Sequence, residues 1–380
     1  MKHQLLSGSE AEERRTMNSY SVYFTNYSIG IDVYDQVPEV CEPFGKRILL
    51  ICGEKALQAA GDLLRKSLAG SRLEIIDTVY FGEDCTGAAI ARHAEHARTC
   101  KADMIFGLGG GKALDTAKGA AYQAGLPVFT FPTIAATCAA TTALSVVYRE
   151  DGKFDSFYFY ERPARHCFIN LQVLAEAPVR YLRAGIGDTI GKYFECHFSA
   201  RGDQLEHSSA LGREISNLCY GPLLDHGTAA LQDCRNKKPS RDLEQTVLAI
   251  IVSTGLVSLM VLDDYNCAIA HSVYYGLVLL PGFEEQYLHG DVVAYGVLVQ
   301  LAVDGQKEEL LKLRDFLTGL GIRTSLKQMN VKLDREYLKD VLHETVTGPD
   351  MKHIPYPVTE DMIFHAMEEV EALDDGQQLQ

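Results

Sequence analysis

Two rhythms of apolar and polar positions run along this chain. From Ser19 to Asn170, short runs rich in β-branched and aromatic residues predict strands at Arg47–Cys52, Leu73–Phe81, Met104–Gly107, Val128–Phe131 and Phe157–Tyr160. Helical spacing fills the intervals, at Glu54–Leu68, Ala88–Thr99 and Lys112–Ala124. Alternating strands and helices imply a parallel sheet with helices on its faces. After about Ala177 the strand signals fade, and Glu206–Ile215, Leu243–Leu262, Ala268–Leu280, Asp291–Gly305 and Glu308–Leu317 all carry helical patterns. Pro178 marks the change, since proline cannot continue a helix ladder. The expectation is an α/β domain over residues 17–178 and an all-α domain over 179–380, behind a disordered extension at 1–16. A length of 380 residues suits two domains better than one.

Within the first half, the apolar run Met104-Ile105-Phe106 leads into GLGGGKALDTAK (107–118), so glycines sit where a strand turns into a helix. Glycine lets a backbone come close to a bulky anion, and the helix start supplies unpaired N–H groups and a positive dipole end. The spacing is neither a P-loop nor G-x-G-x-x-G, because Lys112 is followed by Ala113 and falls where the third glycine would stand. A plain tight turn is the alternative.

Composition narrows the field. The formal net charge of −15, from 51 acidic and 36 basic residues, argues against a nucleic acid or an anionic membrane as partner. Ten scattered cysteines form no C-x-x-C pair, and the polar N-terminus does not read as a secretory signal. The apolar run from Val247 to Leu262 is broken by Ser253, Thr254 and Ser258 and reads as a buried helix. A cytoplasmic protein with free thiols is expected.

Three residues of the second half draw attention. Asp188 stands in AGIGDTIGK at the expected opening of a helix, His271 in AHSVYYG among apolar residues, and His289 in LHGD ahead of another helix. One carboxylate and two imidazoles suit a divalent ion with a position left for substrate. The alternative is that Asp188 caps a helix and both histidines are hydrogen-bonded core residues.

Read together, GLGGGKALDTAK (107–118), PTIAATCAATTALSVVY (132–148), AGIGDTIGKYFE (184–195), AHSVYYGL (270–277) and LHGDVVAYG (288–296) resemble the glycerol-dehydrogenase branch of the iron-containing, metal-dependent alcohol dehydrogenase superfamily. The resemblance runs from about residue 19 to the C-terminus. It implies a Rossmann-like dinucleotide-binding domain, an all-α domain of the dehydroquinate synthase-like architecture, and an active site in the cleft. It implies metal ligands at Asp188, His271 and His289, with zinc as the first choice of ion and iron as the other. Cofactor contacts are implied at Glu54, Gly110, Gly111, Lys112, Thr133, Ala136, Thr142, Leu144 and Tyr148. Glu54 falls where the family meets the adenosine ribose, and a carboxylate there suits NAD better than NADP.

The TIAATCAA run is similar to that of hydroxycarboxylate dehydrogenases, whereas glycerol dehydrogenases place a polyol-binding aspartate where Cys138 stands. The resemblance therefore implies an oxidoreductase moving hydride between NAD(H) and a small 2-oxo or 2-hydroxy acid, with Cys138 at the substrate, in a homo-oligomer with no nucleic-acid or membrane partner. A glycerol or vicinal-diol dehydrogenase is the second reading. A dehydroquinate-synthase-like lyase and a non-catalytic dinucleotide-binding protein are those of other classes. Two positions depart from family patterns: Tyr274 replaces a second histidine, and Lys192 stands where four-ligand members carry one. Arg149 and Arg183 are candidate carboxylate anchors by proximity in sequence.

Overall fold

The computed structural model describes residues 21–374, so the extension expected at 1–16 lies outside the described residues. Six strands form one parallel sheet in the order β1-β8-β5-β4-β2-β3. They are β1 (Asn26–Gly30), β2 (Arg47–Cys52), β3 (Glu74–Tyr80), β4 (Met104–Gly109), β5 (Val128–Pro132) and β8 (His166–Asn170). The central strands β2, β4 and β5 are buried along almost their whole length, which is why they read as continuous apolar runs. On one face Phe106, Phe129, Phe131 and Phe168 pack with Tyr34. On the other, Ala117, Ala120 and Ala121 of a helix lie against Leu49, Ile51 and Ile105.

Three helices of this half are α1 (Glu54–Ser67), α2 (Gly87–Thr99) and α3 (Gly111–Ala124). The aromatic run expected as a strand at Phe157–Tyr160 belongs to β7 (Phe154–Phe159), which pairs antiparallel with β6 (Leu144–Tyr148) in a separate two-stranded sheet. Its β-forming residues signal a strand, but its half-exposed pattern puts it outside the main sheet. Strands β1, β6 and β8 were not among the expected runs. Each is five residues long and carries polar residues such as Asn26, Ser28, Ser145 and His166 that break the apolar run.

From Val179 onward every regular element among the described residues is helical. Three helices matter most: α4 (Val179–Ser199), α5 (Ile269–Leu277) and α6 (His289–Val303). A further helix, Arg241–Met260, is long and apolar enough to cross a membrane, yet two thirds of its apolar window is buried inside the fold. It widens into π-type turns at Leu248–Ser253, where Thr141 donates its hydroxyl to the Ile251 carbonyl at 2.5 Å. That bond fastens the loop after β5 to the helical half.

Helix α4 meets α6 backbone to backbone. A Cβ on Gly187 would collide with the Gly290 carbonyl, and one on Gly290 would collide with the Ala184 carbonyl. Helix α6 meets α5 in the same way at Gly296, over the Ala270 carbonyl. No rotamer relieves a clash with a main-chain carbonyl, so the helices would have to separate.

Gly290→Ala should therefore lower stability by about 1–3 kcal/mol or more, the range for overpacking a filled interior. Gly319→Ala is the control: it sits in a helix with nothing within 4 Å of the new Cβ. That change should stabilise by about 0.5–1 kcal/mol. Thermal unfolding of both variants beside wild type measures the contrast.

Candidate active site

Strand order places a crevice before any ligand is considered. From β2 the chain goes to β3 on one side and then to β4 on the other, so the connections diverge between β2 and β4. Such a switch point opens at the carboxyl ends of the strands and is where open α/β sheets take ligands. Both strands end level there, with Cys52 opposite Leu108 and the Gly53 amide bonded to the Leu108 carbonyl at 3.2 Å. Glu54 follows β2 as the exposed first residue of α1, and Gly110 and Gly111 follow β4 at the start of α3. No side chain caps α3, so its first-turn amides are left to an anion.

The other expected cofactor residues gather less evenly. Thr133 follows β5 and ties it to β4 through an amide bond to Gly109, while Ala136 lies half-buried in the loop beyond. Lys112 pairs with Asp84 and stands 4.7 Å above the Tyr148 ring, so it is anchored and does not hang free over the glycines. The Thr142 hydroxyl and the Leu144 carbonyl both accept from Lys118, a buried ammonium that also pairs with Asp115. Their polar groups serve that internal network.

On the helical side, three side chains converge. Asp188 lies near the middle of α4 and not at its opening, so it caps nothing. His271 comes from α5 and His289 is the first residue of α6. The Asp188 carboxylate is 3.6 Å from Nε2 of His271 and 3.3 Å from Nε2 of His289, and all three donor atoms lie within 4.8 Å of one another. Ligands about 2.0–2.1 Å from a tetrahedral ion stand ~3.3 Å apart, so the spacing fits a divalent ion with a fourth position open. Burial pushes the Asp188 carboxyl up, but its bonds to His271 and His289 outweigh that and hold it well below the usual carboxylate range.

Around this trio stand residues the sequence left ambiguous. Cys138 lies close enough to feel Asp188, and burial together with that charge pushes its thiol up to about 11, so it stays uncharged. Tyr274 packs edge to face on His289 at 4.3 Å, which makes it a wall against that imidazole. Arg183 is bound through both nitrogens to Asp291, at 3.0 and 2.6 Å, and Arg149 pairs with Asp151 on the exposed β6–β7 turn. Neither is free to meet a substrate.

Two further residues of α4 stand beside the trio: Lys192, which the sequence marked only as a departure from the four-ligand pattern, and Glu195, which it did not mark. Lys192 is 8% exposed and donates to the Asn266 carbonyl at 2.7 Å and its Oδ1 at 3.0 Å. Glu195 is fully buried and bonds His271. The signal available was helical spacing: Asp188, Lys192 and Glu195 are i, i+4 and i+7 on one face.

The profile of the family described as iron-containing alcohol dehydrogenase matches residues 25–167. The chain is 31% identical over 331 residues to hydroxycarboxylate dehydrogenase A of Escherichia coli K12, covering 86% of this chain and 90% of the relative. It is 29% identical over 348 residues to a glycerol dehydrogenase of Escherichia coli O6:H1, covering 90% and 93%. Its fold matches the crystal structure of glycerol dehydrogenase from Schizosaccharomyces pombe with a TM-score of 0.84 at 23% identity, over 96% of this chain and 94% of that one.

The geometry makes a direct prediction. His271→Ala should weaken zinc binding by more than about a hundredfold, beyond the loss usual for an outer-sphere partner. Binding of NAD should stay close to wild type. Calorimetric titration of each ligand separates the two effects.

Proposed function

Because the chain belongs to the iron-containing alcohol dehydrogenase family and is an oxidoreductase of it, we propose that it moves a hydride between NAD(H) and a small 2-oxo or 2-hydroxy acid. One observation carries the substrate class. Lys192 is a cation more than nine-tenths buried, one helical turn from Asp188, and the two carboxylates whose charge reaches it, Glu195 and Asp188, are each engaged by His271. Two of its three N–H donors go to Asn266 and the third has no protein partner among the described residues. A buried ammonium with a donor to spare favours an anionic ligand. Cys138, within the field of the same lysine, offers no charge to repel it. The likeness to glycerol dehydrogenases favours a second reading, a glycerol or vicinal-diol dehydrogenase.

In this reading residues 17–178 form the dinucleotide domain and 179–380 the metal domain. Gly110, Gly111 and the open amides of α3 would hold the pyrophosphate, and Glu54 would meet the ribose. Asp188, His271 and His289 would hold one divalent ion, zinc in preference to iron; two imidazoles and a carboxylate are donors both ions accept. When bound, the ion supplies a Lewis acid for the substrate oxygen and the nicotinamide supplies the hydride chemistry. The chain's part is placement. Lys192 orients the carboxylate end of the substrate, Cys138 leaves space beside it, and Tyr274 fixes the plane of His289. A cytoplasmic homo-oligomer belongs to the same reading.

An oxidation screen of NADH and NADPH over 2-oxo acids, dihydroxyacetone and aldehydes, with and without zinc, tests the proposal. A 2-oxo acid should give the highest kcat/KM. Lys192→Met should raise its KM about tenfold to a hundredfold, the value of a hydrogen bond to a charged group, and leave an uncharged aldehyde nearly unaffected. Preference for dihydroxyacetone by the wild type would replace this reading with the diol dehydrogenase.

Cofactor choice is a separate expectation. Glu54 would face the 2′-phosphate of NADP, a like-charge contact costing about 1 kcal/mol or more. Wild type should prefer NADH, and Glu54→Lys should shift the ratio of kcat/KM toward NADPH by about fivefold or more. Steady-state kinetics with both cofactors measures the shift.

A further inference from the structure

Glu195 is the most completely buried acidic side chain beside the site, at 0% exposure. Its position on α4 is two turns beyond Asp188, and it faces the start of α5. One oxygen accepts the amide N–H groups of Ala268 and His271, both at 2.8 Å. The other meets Nδ1 of His271 at 2.5 Å. Helix α5 has no capping side chain of its own at Ala268, so this carboxylate from another helix does that work.

An ionised carboxylate only accepts hydrogen bonds. Nδ1 of His271 must therefore be a donor, so Nε2 is the only nitrogen of the ring that can give up its proton and offer a lone pair to an ion. That nitrogen is the one aimed at Asp188. We propose that Glu195 is a positioning residue that locks His271 in the one tautomer able to ligate a divalent ion, while it caps the helix that carries the ligand. The inference rests on the metal reading above and adds to it a residue outside the ligand set.

The same atoms exclude a competing arrangement. Glu195, Cys267 and His271 also offer donor atoms within 4.8 Å of one another. Both Glu195 oxygens are already committed to N–H donors, and Nδ1 of His271 carries the proton of one of them. An ion between them would have to displace the Nδ1 proton and break its bond to Glu195. The carboxylate is an orienting group and not a ligand.

The near-isosteric change Glu195→Gln separates the two roles. The amide oxygen can keep both backbone N–H groups, which leaves its NH2 facing Nδ1. Two donors then oppose each other unless His271 moves its proton to Nε2, where it blocks the ion. If the amide turns over instead, the backbone N–H groups lose their acceptor and the helix start is undone. Outer-sphere partners of ligating histidines are worth about tenfold to a hundredfold in metal affinity.

The test is competition for zinc against a chromophoric chelator, run on wild type, Glu195→Gln and Glu195→Ala. Melting of the metal-free proteins and NAD affinity are measured alongside. Glu195→Gln should bind zinc about tenfold to a hundredfold more weakly, with melting temperature and NAD affinity near wild type. Glu195→Ala should lose zinc affinity and melt earlier as well. Wild-type zinc affinity in Glu195→Gln would overturn the tautomer role while leaving the metal reading standing, and so would a zinc loss matched by an equal fall in melting temperature. A wild-type protein that binds no zinc would overturn both.

Discussion

Everything at the site depends on three helices touching backbone to backbone. The donor atoms of Asp188, His271 and His289 come from three different helices, so only the distance between helix axes brings them within one coordination sphere. Ordinary packing keeps axes 8–10 Å apart, according to the side chains between them. Gly187, Gly290 and Gly296 remove those side chains at the crossings, and carbonyl oxygens occupy the space. The glycines of AGIGD and LHGD flank Asp188 and His289 because these side chains and His271 can meet only where the helices come closest.

That closeness sets the electrostatics. Helix α4 carries Asp188, Lys192 and Glu195 down one face, in the order acid, base, acid. Each would be costly if buried alone. Asp188 is balanced by His271 and His289, and Glu195 by the amides at the start of α5 together with His271. Lys192 bonds the neutral oxygens of Asn266, and Glu195 and Asp188 act on it through space. A buried cation with a spare N–H donor thus stands beside two carboxylates inside a protein of formal net charge −15. Overall charge therefore says little about the charge of the substrate.

The parallel sheet, the helical second half and the convergence of Asp188, His271 and His289 were legible in the sequence. Buried parallel strands are continuous apolar runs, and five motifs in order carry more information than any one. What was not legible had physical reasons. Asp188 looked like a cap because the glycines before it suggested a helix start, when they serve close packing in the middle of α4. Arg183 looked free because its partner Asp291 lies more than a hundred residues away. Lys112 looked like a bare phosphate contact because Asp84 belongs to the loop after β3. Glu195 was written in the i+7 spacing, but its value depends on the start of α5, which no local pattern reveals.

The central claim is that one divalent ion sits on two imidazoles and a carboxylate held by these helices. X-ray absorption at the zinc edge, on the protein loaded with one equivalent of zinc, tests it most directly. The account predicts a shell of only nitrogen and oxygen at about 2.0–2.2 Å, with outer scattering from two imidazole rings. A sulfur shell at about 2.3 Å, placing the ion on Cys267 or Cys138, would contradict it.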